Sequence, residues 1–193
     1  MLFNSYTFIL FFVFVLLLTR AIGNWSLRKF TLLCLSYVFY AAWNPPFVAL
    51  LWISTIIDWH AARKLHESQH LTQRRFYLFV SLFVNLGMLT YFKYSGFIAE
   101  NLNGVSQAVG STTSINFIDV ILPVGISFYT FQTMSYTIDI YRGNMRPWHS
   151  FLDYALYVTF FPQLVAGPIV RATDFLPQCE TPRRASKDQL GWG

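Results

Sequence analysis

The chain has 193 residues, of which 54% are hydrophobic and only 12% are charged. A soluble domain of average composition carries about twice that share of charge, so the composition argues against a soluble globular protein. The formal net charge of +5 does not indicate nucleic-acid binding, because the basic residues lie in short segments beside apolar runs, where they set membrane orientation.

Successive apolar runs predict an all-α fold, a polytopic transmembrane helical bundle. The first run, from Tyr6 to Ile22, contains one charge and is long enough to cross a bilayer core of about 30 Å. No basic residue precedes it and no small-residue cleavage site follows, so we expect a retained helix rather than a signal peptide. We expect helices at about 6–22, 25–43, 46–62, 76–94, 117–141 and 151–170, all within one membrane domain that covers residues 1–193.

Prolines and glycines interrupt several of these runs. Asn44-Pro45-Pro46 separates the second helix from the third, since each proline removes a backbone donor. The fifth and sixth helices are expected to break near 123–127 and near 162–168, as broken or re-entrant segments. Broken backbone at membrane depth is tolerated only where protein or a water-filled cavity satisfies its polar groups. We therefore expect both interruptions to line a polar passage that receives the freed peptide groups.

The distribution of Lys and Arg predicts an orientation. Basic residues concentrate at 20–29 and 63–75 and are absent from 95–116, which places the first two segments in the cytoplasm and the N-terminus outside it. Asn101–Asn116, rich in Gly, Ser, Thr and Asn, is expected to be a loop on the opposite side. Asp58, near a predicted helix end, is expected to be a cap or an interfacial residue.

One short pattern matches a zinc-protease motif. In His66-Glu67-Ser68-Gln69-His70 the two histidines would lie one helical turn apart, and the glutamate could activate a zinc-bound water. Basic residues flank the pattern on both sides, and no third ligand follows at a recognisable spacing. We interpret it as a chance match in a solvated loop, with an intramembrane metalloprotease as the weaker alternative and no metal expected.

Two longer stretches carry a family resemblance. Leu122–Gly143 (LPVGISFYTFQTMSYTIDIYRG) and Phe151–Gln178 (FLDYALYVTFFPQLVAGPIVRATDFLPQ) resemble the membrane-bound O-acyltransferase family. The similarity is greatest to its bacterial branch, with the alginate O-acetylation and teichoic-acid D-alanyl transfer proteins, and it continues more weakly through Ser36–Pro46. The alginate type is favoured.

The resemblance implies an incomplete fold of this family in the bacterial inner membrane, surrounded by lipid. It implies an acyl donor, acetyl-CoA or an acyl carrier, that acts as a substrate and not as a bound cofactor. The acceptor would be an exported polysaccharide or a periplasmic acyl-relay protein.

The chain departs from the family at the catalytic histidine, which the family carries in a Trp-His-Gly context. None of the four histidines here has that context, since His149 follows Trp148 but precedes Ser150. We therefore expect an N-terminal part of an O-acyltransferase that has no catalytic residue of its own and does not turn over alone.

Five residues are candidates for the passage. Gln132 and Gln163 could hydrogen-bond a sugar or acyl carrier without the cost of a buried ion. Asp139, with Arg142, marks either the passage mouth or an interfacial helix end. Arg171 either attracts an anionic donor or anchors orientation, and Pro168 shapes the wall. A transporter or channel-like subunit, which also uses broken helices, and an inactive remnant remain as alternatives.

Overall fold

A computed structural model describes residues 5–109, 121–164, 167 and 169–182, and the regular elements in these ranges are helical. The predicted all-α class is confirmed for this part of the chain. The helices are α1 (Tyr6–Ala21), α2 (Trp25–Ala41), α3 (Val48–Glu67), α4 (Leu71–Leu89), α5 (Ser95–Ala108), α6 (Ile126–Arg142), α7 (Phe151–Thr159), α8 (Phe161–Leu164) and α9 (Ala172–Phe175). Short 3₁₀ turns cover Pro45–Phe47 and Leu176–Cys179, and a π-helical turn at Thr90–Tyr94 joins α4 to α5.

Polar side chains begin several helices by binding free backbone amides. Ser5 Oγ accepts from the Phe8 amide at the start of α1, and Asn24 Oδ1 accepts from the Leu27 amide at the start of α2. Such caps each contribute on the order of 1 kcal/mol. They fix where the apolar runs start to coil.

Helix α3 lies at the centre of the bundle. It packs against α4 and α6 on one side and α7 on another, while α2 packs on α7 and α1 covers part of α2. The core is formed by large, fully buried side chains from α3, α6 and α7, among them Leu51, Leu65, Ile126, Tyr136 and Tyr154.

The outer helices leave large apolar side chains uncovered. The continuous helical stretch Leu71–Ala108, 38 residues long, is long and apolar enough to cross a membrane, and Tyr6–Ala21 is a shorter apolar helix. Phe79 and Phe83 on α4 and Leu10 and Leu17 on α1 are all more than half exposed. Large apolar side chains exposed along whole helix faces are typical of a surface that contacts lipid or another protein.

Two helices are longer than expected. Helix α3 continues past 62 to Glu67, because Leu65 is fully buried and keeps the last turn packed, and because Lys64 and His66 complement the negative end of the helix dipole. Helix α4 begins at Leu71 rather than near 76. The polar loop between them is correspondingly short.

The loop expected at Asn101–Asn116 is wrong for its first half. Residues 101–108 belong to α5, which continues the axis of α4 through the π-helical turn. Asn101 Nδ2 donates to the Phe97 carbonyl inside the helix, and Ala99 is buried, so the polar residues are carried on a helix with a packed side. Residues 110–116 lie outside the described ranges.

Candidate functional site

The two segments with prolines and glycines meet in space. Helix α6 begins at Ile126, directly after Gly125, whose φ of 78° is in the left-handed region that favours glycine. A Cβ atom on Gly125 would overlap the carbonyl oxygen of Leu164, the last residue of α8. Only a glycine therefore allows the start of α6 to lie against the single turn of α8.

Side chains of α2 satisfy freed backbone groups at both breaks. The Tyr40 hydroxyl donates to the Val124 carbonyl at 3.0 Å, and Ser36 Oγ accepts from the Phe161 amide at 3.3 Å. Protein side chains therefore form hydrogen bonds with these two backbone groups, whereas the sequence suggested that a hydrated passage would. The break is built into the packing of α2, α6 and α8.

Gln132 serves as a tie between α6 and α7. Its side chain is buried and donates through Nε2 to the Tyr157 carbonyl at 2.9 Å. The Tyr157 hydroxyl in turn lies within hydrogen-bond distance of the Val170 carbonyl, at 3.2 Å. The amide of Gln132 is thus used in helix packing.

The other predicted passage residues that the structure describes form no hydrogen bond with Gln132. Gln163 Oε1 is buried on α8 without a hydrogen-bond partner among the described residues. Asp139 accepts from Asn144 Nδ2 at 3.2 Å near the end of α6, and Arg171 is exposed at the start of α9. Pro168 lies outside the described residues.

No hydrogen bond or ion pair within the described ranges joins any two of Gln132, Asp139, Gln163 and Arg171. The ion pairs found there also do not include Asp139 with Arg142, the interfacial pair that the sequence suggested. The structure therefore does not bring these candidates together through direct contacts.

The most polar part of the interior surrounds Asp58, and here the sequence interpretation was wrong. Asp58 lies within α3, not at its end, and is completely buried between α4 and α6. Asn85 Nδ2 lies 2.9 and 2.8 Å from its two carboxyl oxygens, and the Ser81 hydroxyl donates to Oδ1 at 2.5 Å. Asp58 is an interior residue and not a helix cap because α4 and α6 pack over it, and a single apolar run in the sequence cannot reveal this packing.

The Asp58 cluster contains hydroxyl and amide groups from three helices. Ser54 Oγ lies 2.8 Å from Asn85 Oδ1, and Thr133 Oγ1 donates to the same oxygen at 3.1 Å. Its members are all fully buried: Ser54 and Asp58 of α3, Ser81 and Asn85 of α4, and Thr133 and Thr137 of α6. Each helix contributes two polar residues spaced i, i+4, which places both on one helical face. That spacing inside apolar runs is the sequence signal that could have located the cluster.

A second buried polar site links α2 to α7 and to the 3₁₀ turn Leu176–Cys179. Lys29 Nζ of α2 forms an ion pair with Asp153 Oδ1 of α7 at 2.5 Å and donates to the Cys179 carbonyl at 3.0 Å. Trp25 Nε1 donates to that same carbonyl at 2.7 Å. Burial, reinforced by the negative charge of Asp153, raises the pKa of the Cys179 thiol to about 11.

The zinc-protease pattern lies at the surface. His66 and Glu67 are exposed in the last turn of α3, His70 precedes α4, and Glu67 pairs with Lys64 at 3.2 Å. Within the residues that the structure describes, no group of three or more His, Cys, Asp or Glu side chains has an arrangement that could hold a metal ion.

A cleft of about 270 Å³ opens beside this pattern. Arg63, His66, Arg146 and His149 line it together with one carboxylate, Glu67, which Lys64 pairs at 3.2 Å, so the two arginines leave the cleft with an excess of positive charge. Trp148 also borders the cleft, with its indole held by a hydrogen bond from Nε1 to Asp153 Oδ2 at 3.2 Å. The cleft can therefore hold an anionic group beside an aromatic ring that a buried ion pair keeps in place.

Known proteins resemble this chain over most of its length. It is 35% identical over 179 residues to a protein of Pseudomonas aeruginosa named probable alginate O-acetylase, a match that covers 92% of this chain and 34% of the relative. It is 34% identical to the protein of that name in Azotobacter vinelandii, over 92% of this chain and 36% of the relative. A peptidoglycan O-acetyltransferase of Helicobacter pylori is 34% identical, over 78% of this chain and 32% of its own length.

The chain thus spans about a third of the length of the curated relatives it matches. No family model and no solved structure matches it. The predicted resemblance to an alginate-type O-acyltransferase is confirmed by these relatives.

Proposed function

Because this chain is homologous to the alginate O-acetylases of the membrane-bound O-acyltransferase family, we propose that it forms part of an enzyme that O-acetylates an exported polysaccharide. The observation that carries the proposal is 35% identity to such a protein over 92% of this chain. Alginate is the proposed acceptor, with peptidoglycan next because of the Helicobacter pylori relative. A periplasmic acyl-relay protein is the alternative acceptor.

The proposed location is the bacterial inner membrane, with several crossings. The apolar stretch Leu71–Ala108 and the exposed apolar surface of α1 support it. In this arrangement Lys and Arg at 20–29 and 63–75 face the cytoplasm, and the N-terminus faces outward. The buried junction of α6 and α8 then lies within the bilayer, where its backbone groups must be satisfied by protein.

The proposed donor is acetyl-CoA or an acetylated carrier, which arrives from the cytoplasm as a substrate. The basic cleft beside Arg63 and Arg146 supports this direction, since it lies next to the segment assigned to the cytoplasm and suits a phosphate-bearing group. Arg171 is exposed and is proposed as a second contact for the negatively charged donor.

In the transfer itself, the acceptor hydroxyl oxygen loses its proton to a base and bonds to the acetyl carbonyl carbon, while the bond from that carbon to the donor sulfur breaks and the sulfur leaves as a thiolate that takes up the proton. The resemblance assigns the base that removes the hydroxyl proton to a histidine in a Trp-His-Gly context, which the four histidines of this chain do not have. We therefore assign a scaffolding and donor-binding role to these 193 residues and expect no turnover from them alone.

Complementation of an alginate-producing strain that lacks its own O-acetylase tests the proposal. The strain receives either the 193-residue chain or the longest continuous reading frame that contains it, and acetyl esters on alginate and on peptidoglycan are measured. The longer frame should restore esters on one polymer and the 193-residue chain on neither. Absence of esters from both polymers, with the protein present in the membrane, would reject the function, and a change in polymer export alone would favour a transport subunit.

The donor site has its own measurement. In the product of the longest reading frame that contains this chain, Arg146→Ala should raise the donor concentration needed for half-maximal transfer by about tenfold or more, the effect of losing one hydrogen bond to a charged group worth at least about 1.5 kcal/mol. His70→Ala, an exposed change outside the cleft, is the matched control and should leave transfer unchanged. Equal kinetics for both variants would move the donor site away from this cleft.

A further inference from the structure

If Asp58 is ionised, the Asp58 cluster has too few protons for its close pairs of oxygen atoms. Ser54 Oγ lies 2.8 Å from Asn85 Oδ1 and 3.3 Å from Asp58 Oδ2. A hydroxyl has a single proton, so it donates to one of these oxygens only. The shorter distance favours Asn85, and Asp58 Oδ2 then faces a lone pair of Ser54.

The amide of Asn85 does not supply the missing proton. Its Nδ2 lies 2.9 Å from the Ser81 carbonyl, which uses one of its two protons, and the other is shared between the two oxygens of Asp58. The Ser81 hydroxyl already donates to Oδ1. Between Asp58 Oδ2 and Ser54 Oγ, therefore, no neighbour provides a hydrogen.

A Ser54 hydroxyl that donates to Asp58 instead of Asn85 also leaves two acceptors without a proton between them. If Ser54 donated to Asp58, its oxygen would lie 2.8 Å from Asn85 Oδ1 with no proton between two acceptors. Thr133 Oγ1 lies 3.1 Å from both Asn85 Oδ1 and the Thr130 carbonyl, and its one proton, whichever oxygen it goes to, does not lie between Ser54 Oγ and its two neighbouring acceptors.

No charge within the described residues compensates an ionised Asp58. No Lys, Arg or His nitrogen in those ranges forms an ion pair with it, and its side chain is fully buried. The titratable groups that interact with it electrostatically are phenols, Tyr136 of α6 and Tyr154 of α7. The side chains of α4 that bond to it, Ser81 and Asn85, are both uncharged. An isolated buried carboxylate costs several kcal/mol even after relaxation.

We infer that Asp58 binds a proton in the folded protein at neutral pH and donates it from Oδ2 to Ser54. The hydrogen bonds then run in one direction, from Asp58 to Ser54 to Asn85 and back to Asp58, with Ser81 donating to Oδ1. Every atom of this ring is satisfied without a buried charge. The protonated acid joins α3 to α4, and through Thr133 it holds α6, which begins at the Gly125 break.

Infrared difference spectroscopy of the purified 193-residue chain in lipid nanodiscs tests the protonation state. Subtracting the spectrum of Asp58→Asn from that of the wild type at pH 7 should leave the C=O stretch of a carboxylic acid. Asp174→Asn, which changes an exposed aspartate, is the control and should remove a carboxylate band instead. Loss of a carboxylate band in Asp58→Asn would overturn the inference.

Stability supplies an independent test. Asparagine is neutral, has nearly the same shape and can donate to Ser54, but its Nδ2 then lies beside Asn85 Nδ2, which is 2.8 Å from Asp58 Oδ2. Asp58→Asn should therefore lower the thermal midpoint by less than half as much as Asp58→Ala, which should lower it by at least about 6 °C. The midpoint should be equal in sodium chloride and choline chloride at one ionic strength. Asn and Ala variants that are destabilised equally would contradict a neutral acid at this position. A wild-type midpoint that rises only with sodium would show a charged carboxylate beside a bound cation instead.

Discussion

At the scale of single residues, two ion pairs of this protein have very different environments. Lys29 and Asp153 are buried between α2 and α7, whereas Lys64 and Glu67 are exposed on α3. Lys29→Met should lower the free energy of unfolding by about 3–5 kcal/mol, because it leaves a buried carboxylate without its partner. Lys64→Met, the matched control, should change it by less than about 1 kcal/mol.

Unfolding by denaturant in detergent micelles measures both effects. Replacing Asp153 with Asn in the Lys29→Met protein should restore part of the loss, since the uncompensated charge is removed as well. If both lysine variants lose the same stability, the buried pair does not hold α2 to α7.

Asn85 is the residue with the most contacts in the Asp58 cluster. Asn85→Ala removes the amide that bonds both carboxyl oxygens and the oxygen that accepts from Ser54 and Thr133. We expect a loss of at least about 2–3 kcal/mol in the same unfolding assay, because several buried groups lose a partner at once. Asn101→Ala, an exposed position on α5, should cost less than about 0.5 kcal/mol, and an equal loss would contradict the cluster's role.

The thiol of Cys179 reports on the packing beside the buried ion pair. Its pKa is raised from 9.0 to about 11 by burial, so at pH 8 its thiolate fraction is about 100-fold smaller than that of an ordinary thiol. In a Cys34→Ser background, alkylation by iodoacetamide should be slow at pH 8 and should accelerate about tenfold per pH unit up to about pH 11. A rate that levels off near pH 9 would mean that the thiol is accessible to solvent.

At the scale of secondary structure, the start of α6 depends on a glycine and its end on another. Gly125 and Gly143 have φ of 78° and 79°, but only Gly125 touches another segment, at Leu164 of α8. Gly143→Ala should cost about 1–2 kcal/mol through backbone strain alone. Gly125→Ala should cost more, because its methyl group must also displace α8.

A further change at this junction, Tyr40→Phe, removes the hydrogen bond to Val124 while leaving the ring, and should cost about 1 kcal/mol.

Thermal unfolding of the two glycine variants separates the backbone strain at both positions from the contact with α8 at Gly125. If Gly125→Ala and Gly143→Ala are equally stable, the approach of α6 to α8 is loose and the junction does not restrain these helices.

At the scale of the whole molecule, the charge distribution predicts which loops face the cytoplasm. Gln73 and Gln107 are exposed near opposite ends of the stretch Leu71–Ala108. In a protein without its own cysteines, Gln107→Cys should react with a membrane-impermeant maleimide on intact spheroplasts, and Gln73→Cys only after permeabilisation. Labelling of both positions on intact spheroplasts would exclude the proposed crossing.

The sequence by itself determined the helical class, the turn at Asn44–Pro46 and the resemblance to proteins named alginate O-acetylase, because apolar content, proline positions and long motifs are properties of contiguous residues. It was less accurate at helix ends and at 101–108, where local composition was polar but packing extended the helix. The role expected for Asp58 was wrong for the same physical reason. A carboxyl group near charged residues resembles a cap until the positions of other helices are known.

Only the tertiary structure decided which polar residues meet. Ser81, Asn85 and Thr133 surround Asp58 because α3, α4 and α6 pack side by side, and Gly125 contacts Leu164 because α2 holds both breaks. Partners in such contacts are separated by many residues, and hydrogen bonding depends on distances of a few tenths of an ångström. One-dimensional patterns can show that a helix has a polar face, whereas the arrangement of neighbouring helices determines what that face binds.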